Sequence, residues 1–446
     1  MSKLREHALS IWQAGVSAVD SEHLVRRHVS IDEDGLKVCG QTISLNAARH
    51  IEVVGAGKAG TGMVRGLEQA LSALPHGITL DGWVNVPEDC VGQTQHIRLF
   101  GARPAGVNEP TVAAAEGTAE ILRRVGLLAE EDICLVLISG GGSALLPAPV
   151  PEITLQDKLT VTRTLAAAAT PIDELNLVRR ELSLVKGGGL LAACRARTVV
   201  ALIISDVIGD PLPAIASGPT VAAPAEPRRA LEILHRCDPQ RQQIDERVFR
   251  YLEQKQADTA APHREATNHL LGSNAVAVTA ARARAIELGY HVVNLGSENS
   301  GPAATMGCRL FDQLKDHQAA QPKQPYCLLA GGETTVELAP CEGPRKGGRN
   351  QELVLAAVNA RPAPEDWSGL VLLSGGTDGE DGPTDAAGAV ADQALLERLS
   401  QSLLQAADYL AINNSYPFFD QLDGLIRTGP THTNVMDLAV GLVAGE

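Results

Sequence analysis

The sequence predicts an α/β protein of two domains built on mainly parallel sheets, a Rossmann-like N-terminal domain followed by a smaller C-terminal one. Three observations predict it. Short apolar runs of strand length alternate with longer amphipathic segments, the pattern of buried parallel strands flanked by helices. Several of these runs feed directly into glycine-rich loops. The 446 residues also exceed what a single hydrophobic core usually organises.

The strand candidates are 51–54, 83–86, 133–138, 198–204, 290–295, 326–330 and 369–373. Helix candidates lie between them at 111–125, 155–168, 274–288 and 349–358. Residues 222–268 differ from their surroundings, being rich in Pro, Arg, Gln, Asp and His, which places the domain junction there. The expected domains are therefore 1–240 and 265–446, with 318–325 read as a surface loop. A weak internal echo recurs at ICLVLISGGGSALL, YCLLAGGETTVEL and GLVLLSGGTDGED, each an apolar run leading into a Gly-Gly pair.

Composition narrows the function. The chain carries 38 basic and 53 acidic residues, a formal charge of -15, which disfavours nucleic acid and anionic membranes over long range. The 8 cysteines are scattered without a C-x-x-C pair and read as reduced thiols. The first residues alternate charged and apolar types at helical spacing, unlike a signal peptide, and no run approaches the roughly 18 apolar residues of a membrane span. The expected compartment is the cytoplasm.

Five loops occupy the position beyond strand ends where parallel sheets bind ligands: 55–60, 139–146, 205–211, 330–335 and 374–385. Their number argues for a polyanionic ligand. The first, GAGKAG, fits G-x-G-x-x-G, but its variable position holds Lys58, a point charge suited to a transferring phosphoryl group. Asp81 is poorly placed as the ribose acid of a dinucleotide site, because it precedes the next strand. A tight turn with a solvated lysine is the plain alternative for this loop.

Ser139, Gly140, Gly141, Gly142 and Ser143 offer consecutive amides and two hydroxyls, a nest for a carboxylate or phosphate. The G-x-S-x-G elbow, the P-loop, the protein-kinase motifs and H-E-x-x-H are all absent. Segment 176–189 reads as a helix carrying Arg179, Arg180 and Lys186 towards a glycine-rich end. In RKGGRNQE, Arg349 and Asn350 open a helix where their side chains can face an anion. Carboxylates complete the set: Asp206, Glu333, Asp378, Asp381 and Asp385 supply candidates for metal ligation and for accepting a hydroxyl proton.

The strings VVGAGKAG, LISGGGSALLPAP, LNLVRRELSLVKGGGL, SDVIGDPLPAIASGPTV, KGGRNQELVLA, LLSGGTDGEDGPTDAAGA and TNVMDL closely resemble the class II glycerate kinases, which carry a MOFRL-type C-terminal domain. The similarity runs from about residue 5 to 440. The resemblance implies two α/β domains with ATP and glycerate in the cleft between them, Mg²⁺ dependence, and 2-phosphoglycerate as product. Its catalytic lysine and arginine fall on Lys58 and Arg349. Asp206 is assigned as base or metal ligand, with Asp378 and Asp381 as further metal candidates. Ser139, Gly140, Gly141, Gly142, Ser143 and Arg179 are assigned to glycerate. The nucleotide takes Gly55, Gly57, Lys186, Gly332, Glu333, Thr334, Asn350, Thr377 and Asp378. The chain departs from the family pattern where His432 stands in place of a usual glycine.

Small-molecule substrates and a monomer or homodimer are expected. Two other readings are a nicotinamide-dependent hydroxypyruvate reductase, from the G-x-G-x-x-G spacing, and a non-catalytic nucleotide-binding module.

Overall fold

Each of the seven apolar runs forms a strand, and the amphipathic segments between them form helices. The structure, a computed structural model, describes residues 2–104, 107, 109–255 and 265–445. The chain folds into two compact units: Ser21–Ser205 with Asp210–Leu271, and Met1–Asp20 with Asp206–Gly209 and Gly272–Glu446.

The first unit is built on a six-stranded sheet. Its strands His50–Ala56, Thr79–Pro87, Ile97–Arg103, Ile133–Ile138 and Thr198–Ile204 run parallel, and Thr267–Gly272 completes one edge. Ile133–Ile138 is buried along its whole length, which explains why its sequence is continuously apolar instead of alternating. A small antiparallel sheet of Val29–Asp32, Gly35–Val38 and Gln41–Ile43 precedes it. The strands of that sheet are only three or four residues long, and although Val29 and Ile31, and Leu36 and Val38, alternate with polar residues, so brief a run does not stand out in the sequence.

In the second unit the expectation of a mainly parallel sheet fails. Tyr326–Thr335 does pair in parallel with His291–Asn294 and Asn299–Pro302. The strand Asp437–Val443, however, inserts antiparallel between Tyr326–Thr335 and Leu370–Gly376, and Gly388–Asp392 adds a further antiparallel pair. The two inserted strands are as apolar as their neighbours, so composition alone does not reveal their direction.

Three boundaries also move. Residues 222–268 are not simply a junction: Pro227–Cys237 and Glu246–Gln254 are strongly amphipathic helices. Their apolar faces join Val161, Leu165 and Val178 in one core of the first unit. Within the expected junction, 256–264 lie outside the described residues. The N-terminal helix Lys3–Ala18 belongs to the second unit, because Trp12 is fully buried under its sheet and donates from Nε1 to the Gly375 carbonyl (3.1 Å). Truncating a tryptophan so packed costs about 3–5 kcal/mol, enough to fix the helix there. Finally, the expected helix at 176–189 ends at Glu181, and a short second helix begins at Gly189.

Candidate active site

Two groupings of polar residues arise, one in each unit. In the first unit the loops 55–60 and 139–146 lock together at the ends of adjacent strands. Lys58 N donates to the Gly140 carbonyl (2.9 Å) and Ala59 N to Ser139 Oγ (3.1 Å). Gly57, at φ 147°, leaves no room for a Cβ against Ser139, and a side chain at Gly55 would collide with the Leu137 carbonyl. These two glycines are thus accounted for by packing between strands, which removes the observation that motivated a dinucleotide site. The Ser139 hydroxyl, buried and bonded to Ala59, fastens the loops instead of facing a ligand.

Gly141 sits at φ 76°, a conformation glycine adopts without strain, and opens the short helix Gly142–Leu145. A Cβ built there would lie 3.3 Å from an Arg103 guanidinium nitrogen and 3.7 Å from Lys58 Cγ, so two cations flank this turn. Two residues on, Ser143 Oγ receives Lys186 Nζ (2.5 Å) and Arg179 Nη2 (2.8 Å) and lies 3.2 Å from Ser217 Oγ. Lys186 Nζ also donates to Ser217 Oγ (3.1 Å) and the Ser143 carbonyl (3.3 Å). Burial, then the Arg179 and Lys158 charges, hold the Lys186 pKa well below its ordinary value. Burial likewise lowers that of Arg179. Lys186, expected among the nucleotide contacts, is therefore grouped with Ser143 and Arg179.

Lys158, Ser217 and Arg103 escape the sequence reading. A signal existed for Lys158: it occupies the same helical stripe as Val161 and Leu165, where a charge is out of place. Ser217, at φ 63° in IASGP, and Arg103, ending a strand, carry no comparable mark.

In the second unit, Arg349 and Asn350 open the helix Arg349–Ala360 as expected. Arg349 reaches Asp437 through Nε to Oδ2 (2.6 Å) and Nη2 to Oδ1 (3.1 Å), and pairs through Nη1 with Glu333 Oε1 (2.7 Å). Burial opposes the guanidinium charge, but Asp437 and Glu333 outweigh it and raise the pKa. The Glu333 carboxyl is pushed up by burial and by Asp437 and Asp206, with Arg349 pulling the other way.

Asp381 is fully enclosed. Its Oδ1 accepts from the Asn350 amide (3.0 Å) and side chain (3.2 Å), and its Oδ2 from the Gln351 amide (2.8 Å). Burial, opposed by those amides, raises its pKa to about 7. Both oxygens are engaged by the helix N-terminus, which suits an anchor and leaves little for a metal. Among the described residues no group of three His, Cys, Asp or Glu is arranged to hold a metal ion.

Segment 330–335 is strand and not loop, with Gly332 and Thr334 paired to Asn299 and Gly301. Gly332, Thr334, Asn350, Ser374 and Asp437 surround a cavity of about 20 Å³, room for a water and far too little for a nucleotide. Thr377 is a pin: its Oγ1 donates to the Met436 carbonyl (2.7 Å) and accepts from Val435 N (2.9 Å). Asp378 Oδ1 accepts from Glu380 N (3.1 Å), and its carbonyl from Thr431 N (3.2 Å). Asp206 follows the strand Thr198–Ile204 and acts electrostatically on Glu333. Asp437 was missed as a site residue, although it opens the apolar run DLAVGLV.

Comparison with known proteins places these residues in a family. The model of the "Domain of unknown function (DUF4147)" matches residues 7–253, and that of the "MOFRL family" matches 326–437. A protein named glycerate kinase from Rattus norvegicus is 37% identical over 98% of this chain and 92% of its own length. A glycerate 2-kinase from Pyrococcus horikoshii is 31% identical, covering 99% and 98%. The crystal structure of a glycerate kinase from Thermotoga maritima superposes with a TM-score of 0.81 at 30% identity, over 99% of both chains. Spanned by both family models and by relatives of this extent, the chain belongs to the glycerate kinase family that carries a MOFRL segment.

Proposed function

We propose that the protein transfers the γ-phosphoryl group of ATP to the 2-hydroxyl of D-glycerate, giving ADP and 2-phosphoglycerate. The gathering of cations about residues 139–143 carries the reading. Lys58 and Arg103 flank Gly141, and Lys186 and Arg179 converge on Ser143. Fixed positive charge and amides in a partly buried turn suit a reaction whose transition state concentrates negative charge on oxygen. Relatives named glycerate kinase along nearly their whole length support the substrate class.

In this mechanism Ser143 and Arg179 hold the carboxylate of glycerate. Lys58 neutralises charge on the transferring phosphoryl oxygens. The glycerate O2 forms the new bond to phosphorus as the bond to the bridging oxygen of ADP breaks, and Asp206 accepts the hydroxyl proton. Arg349 is the second catalytic cation; a phosphate oxygen would compete for it with Glu333, the more exposed of its two carboxylate partners.

Mg²⁺ would be held by Asp378, neutralising phosphate charge when bound, which leaves Asp206 to the hydroxyl proton. That donor set fits a metal carried in by phosphates, because Mg²⁺ takes one or two carboxylates and otherwise water and substrate oxygens. Asp381 is left out of it, since its oxygens serve the helix.

The reading extends to a cytoplasmic enzyme acting as a monomer or homodimer. No helix among the described residues is long and apolar enough to cross a membrane. Incubation with ATP, Mg²⁺ and D-glycerate, followed by phosphorus NMR, tests it. The 2-phosphate is the expected product; the 3-phosphate alone would overturn the regiochemistry, and no phosphorylated acid would overturn the activity.

A further inference from the structure

Lys158 does not behave as a surface lysine. It projects from the buried stripe of helix Leu155–Ala167, is 9% exposed, and its Nζ has no hydrogen-bond partner among the described residues. Leaving an ammonium so enclosed and unpaired is costly, so folding alone gives no reason to place it there. Together with Ser143, Pro147, Leu159, Arg179 and Lys186 it lines a cavity of about 180 Å³. Such a cavity admits a three-carbon acid and excludes a nucleotide.

The charges lining this cavity are unbalanced. Arg179 and Arg163 are cationic and Lys186 is a further basic side chain; among the described lining residues Glu109 is the carboxylate, and it is taken by Arg163 (2.5 Å). Asp157, the chain neighbour of Lys158, is spent on capping its own helix through Thr154. Burial and the Arg179 charge shift Lys158, and burial, Arg179 and Lys158 shift Lys186, with no carboxylate opposing either. A basic cavity in which, among the described lining residues, the buried Lys158 donor is unused lacks an anion.

We propose that this cavity seats the carboxylate of the substrate, and that Lys158 makes the site select an acid over a neutral polyol or aldehyde of the same length. The identity of the acid rests on the kinase reading; the anion site does not. Ser143 Oγ and Arg179 Nη2, already 2.8 Å apart, supply one side of the seat and Lys158 Nζ the other.

The arrangement carries a proton linkage. Burial and Arg179 lower the Lys158 pKa to about 7, so above neutrality the amine of the free protein is largely uncharged. A carboxylate favours the ammonium form and raises that pKa, so binding takes up a proton and affinity strengthens as pH falls from 9 towards 7. The carboxylate itself stays ionised throughout this window.

Calorimetric titration of the full-length protein with D-glycerate at pH 8, without ATP, in Hepes and in Tris, counts the protons taken up. The expected result is more than half a proton per glycerate bound, with glycerol failing to bind. Lys158→Met should weaken glycerate binding at least tenfold at pH 7 and abolish most of the uptake. Lys158→Arg should retain binding without uptake. Glycerate binding without proton uptake, or within twofold of wild type in Lys158→Met, overturns the proposal. So does uptake with inorganic phosphate but not with glycerate, which would assign the cavity to a phosphoryl group. The kinase reading fails separately: proton-linked binding without phosphorylated product sinks the activity but not the site. Normal product formation with an unchanged KM in Lys158→Met does the reverse.

Discussion

Arg349 meets Asp437 through two nitrogens on two oxygens, and the same carboxylate receives the Asn350 side chain at 2.9 Å. The two residues are 88 positions apart in the chain, so the pair ties the start of the helix Arg349–Ala360 to the start of the last strand. Glu333 touches the same guanidinium, but from a side more open to solvent. Asp437→Asn should therefore destabilise the fold by about 2 kcal/mol, because it removes the enclosed carboxylate and leaves Arg349 only its solvent-facing partner Glu333. Glu333→Gln should cost less than about 1 kcal/mol, as an exposed pair does. Urea unfolding of both variants measures the contrast; equal losses would show that Asp437 has no special hold on Arg349.

Lys58→Ala tests the catalytic turn. The Lys58 amide is used structurally by Gly140, and alanine keeps it, so the fold of the two loops should survive. Removing a cation that acts on developing phosphoryl charge should lower kcat by about 10²–10³ while KM for glycerate changes little. Steady-state kinetics with circular dichroism as a check on folding decides it. A kcat within threefold of wild type would remove Lys58 from the chemistry.

Much of this architecture was legible because buried parallel strands are written as unbroken apolar runs. The strand Ile133–Ile138 and the loop after it could be read directly, and so could the helix opening at Arg349. The glycines were read less well. Glycine signals close backbone approach without saying what approaches, and at Gly55 and Gly57 the neighbour is the adjacent strand and loop of the protein. The same ambiguity made 330–335 look like a loop, although Gly332 lies within a strand at φ 141°, against Asn299. Strand direction in the second sheet was not readable, because Asp437–Val443 is apolar whichever way it runs. Nor was the partnership of Ser143 with Ser217, 74 positions apart, since their convergence depends on the tertiary fold.

Asp381 offers a prediction about stability independent of chemistry. Its two oxygens take the Asn350 and Gln351 amides, which the helix itself cannot satisfy. Asp381→Ala should cost about 2–4 kcal/mol, the penalty of leaving two enclosed amides without acceptors. Hydrogen exchange should speed up first at Asn350 and Gln351. If the variant instead keeps full stability and loses activity through weaker Mg²⁺ dependence, the carboxylate is a ligand and not an anchor.

His432 sits at φ 56°, and this is the position where the resembling family usually has glycine. It lies in the segment whose Thr431 bonds to the Thr377 and Asp378 carbonyls, so the strained residue is held close to the pinned turn. A side chain in the left-handed region costs about 1–2 kcal/mol relative to glycine, part of which glycine gives back through a more disordered unfolded chain. His432→Gly should accordingly raise stability by about 0.5–1 kcal/mol, seen as a higher thermal midpoint. A lower midpoint would mean that contacts of the imidazole outweigh the backbone strain, and that this chain has replaced the glycine with a stabilising side chain.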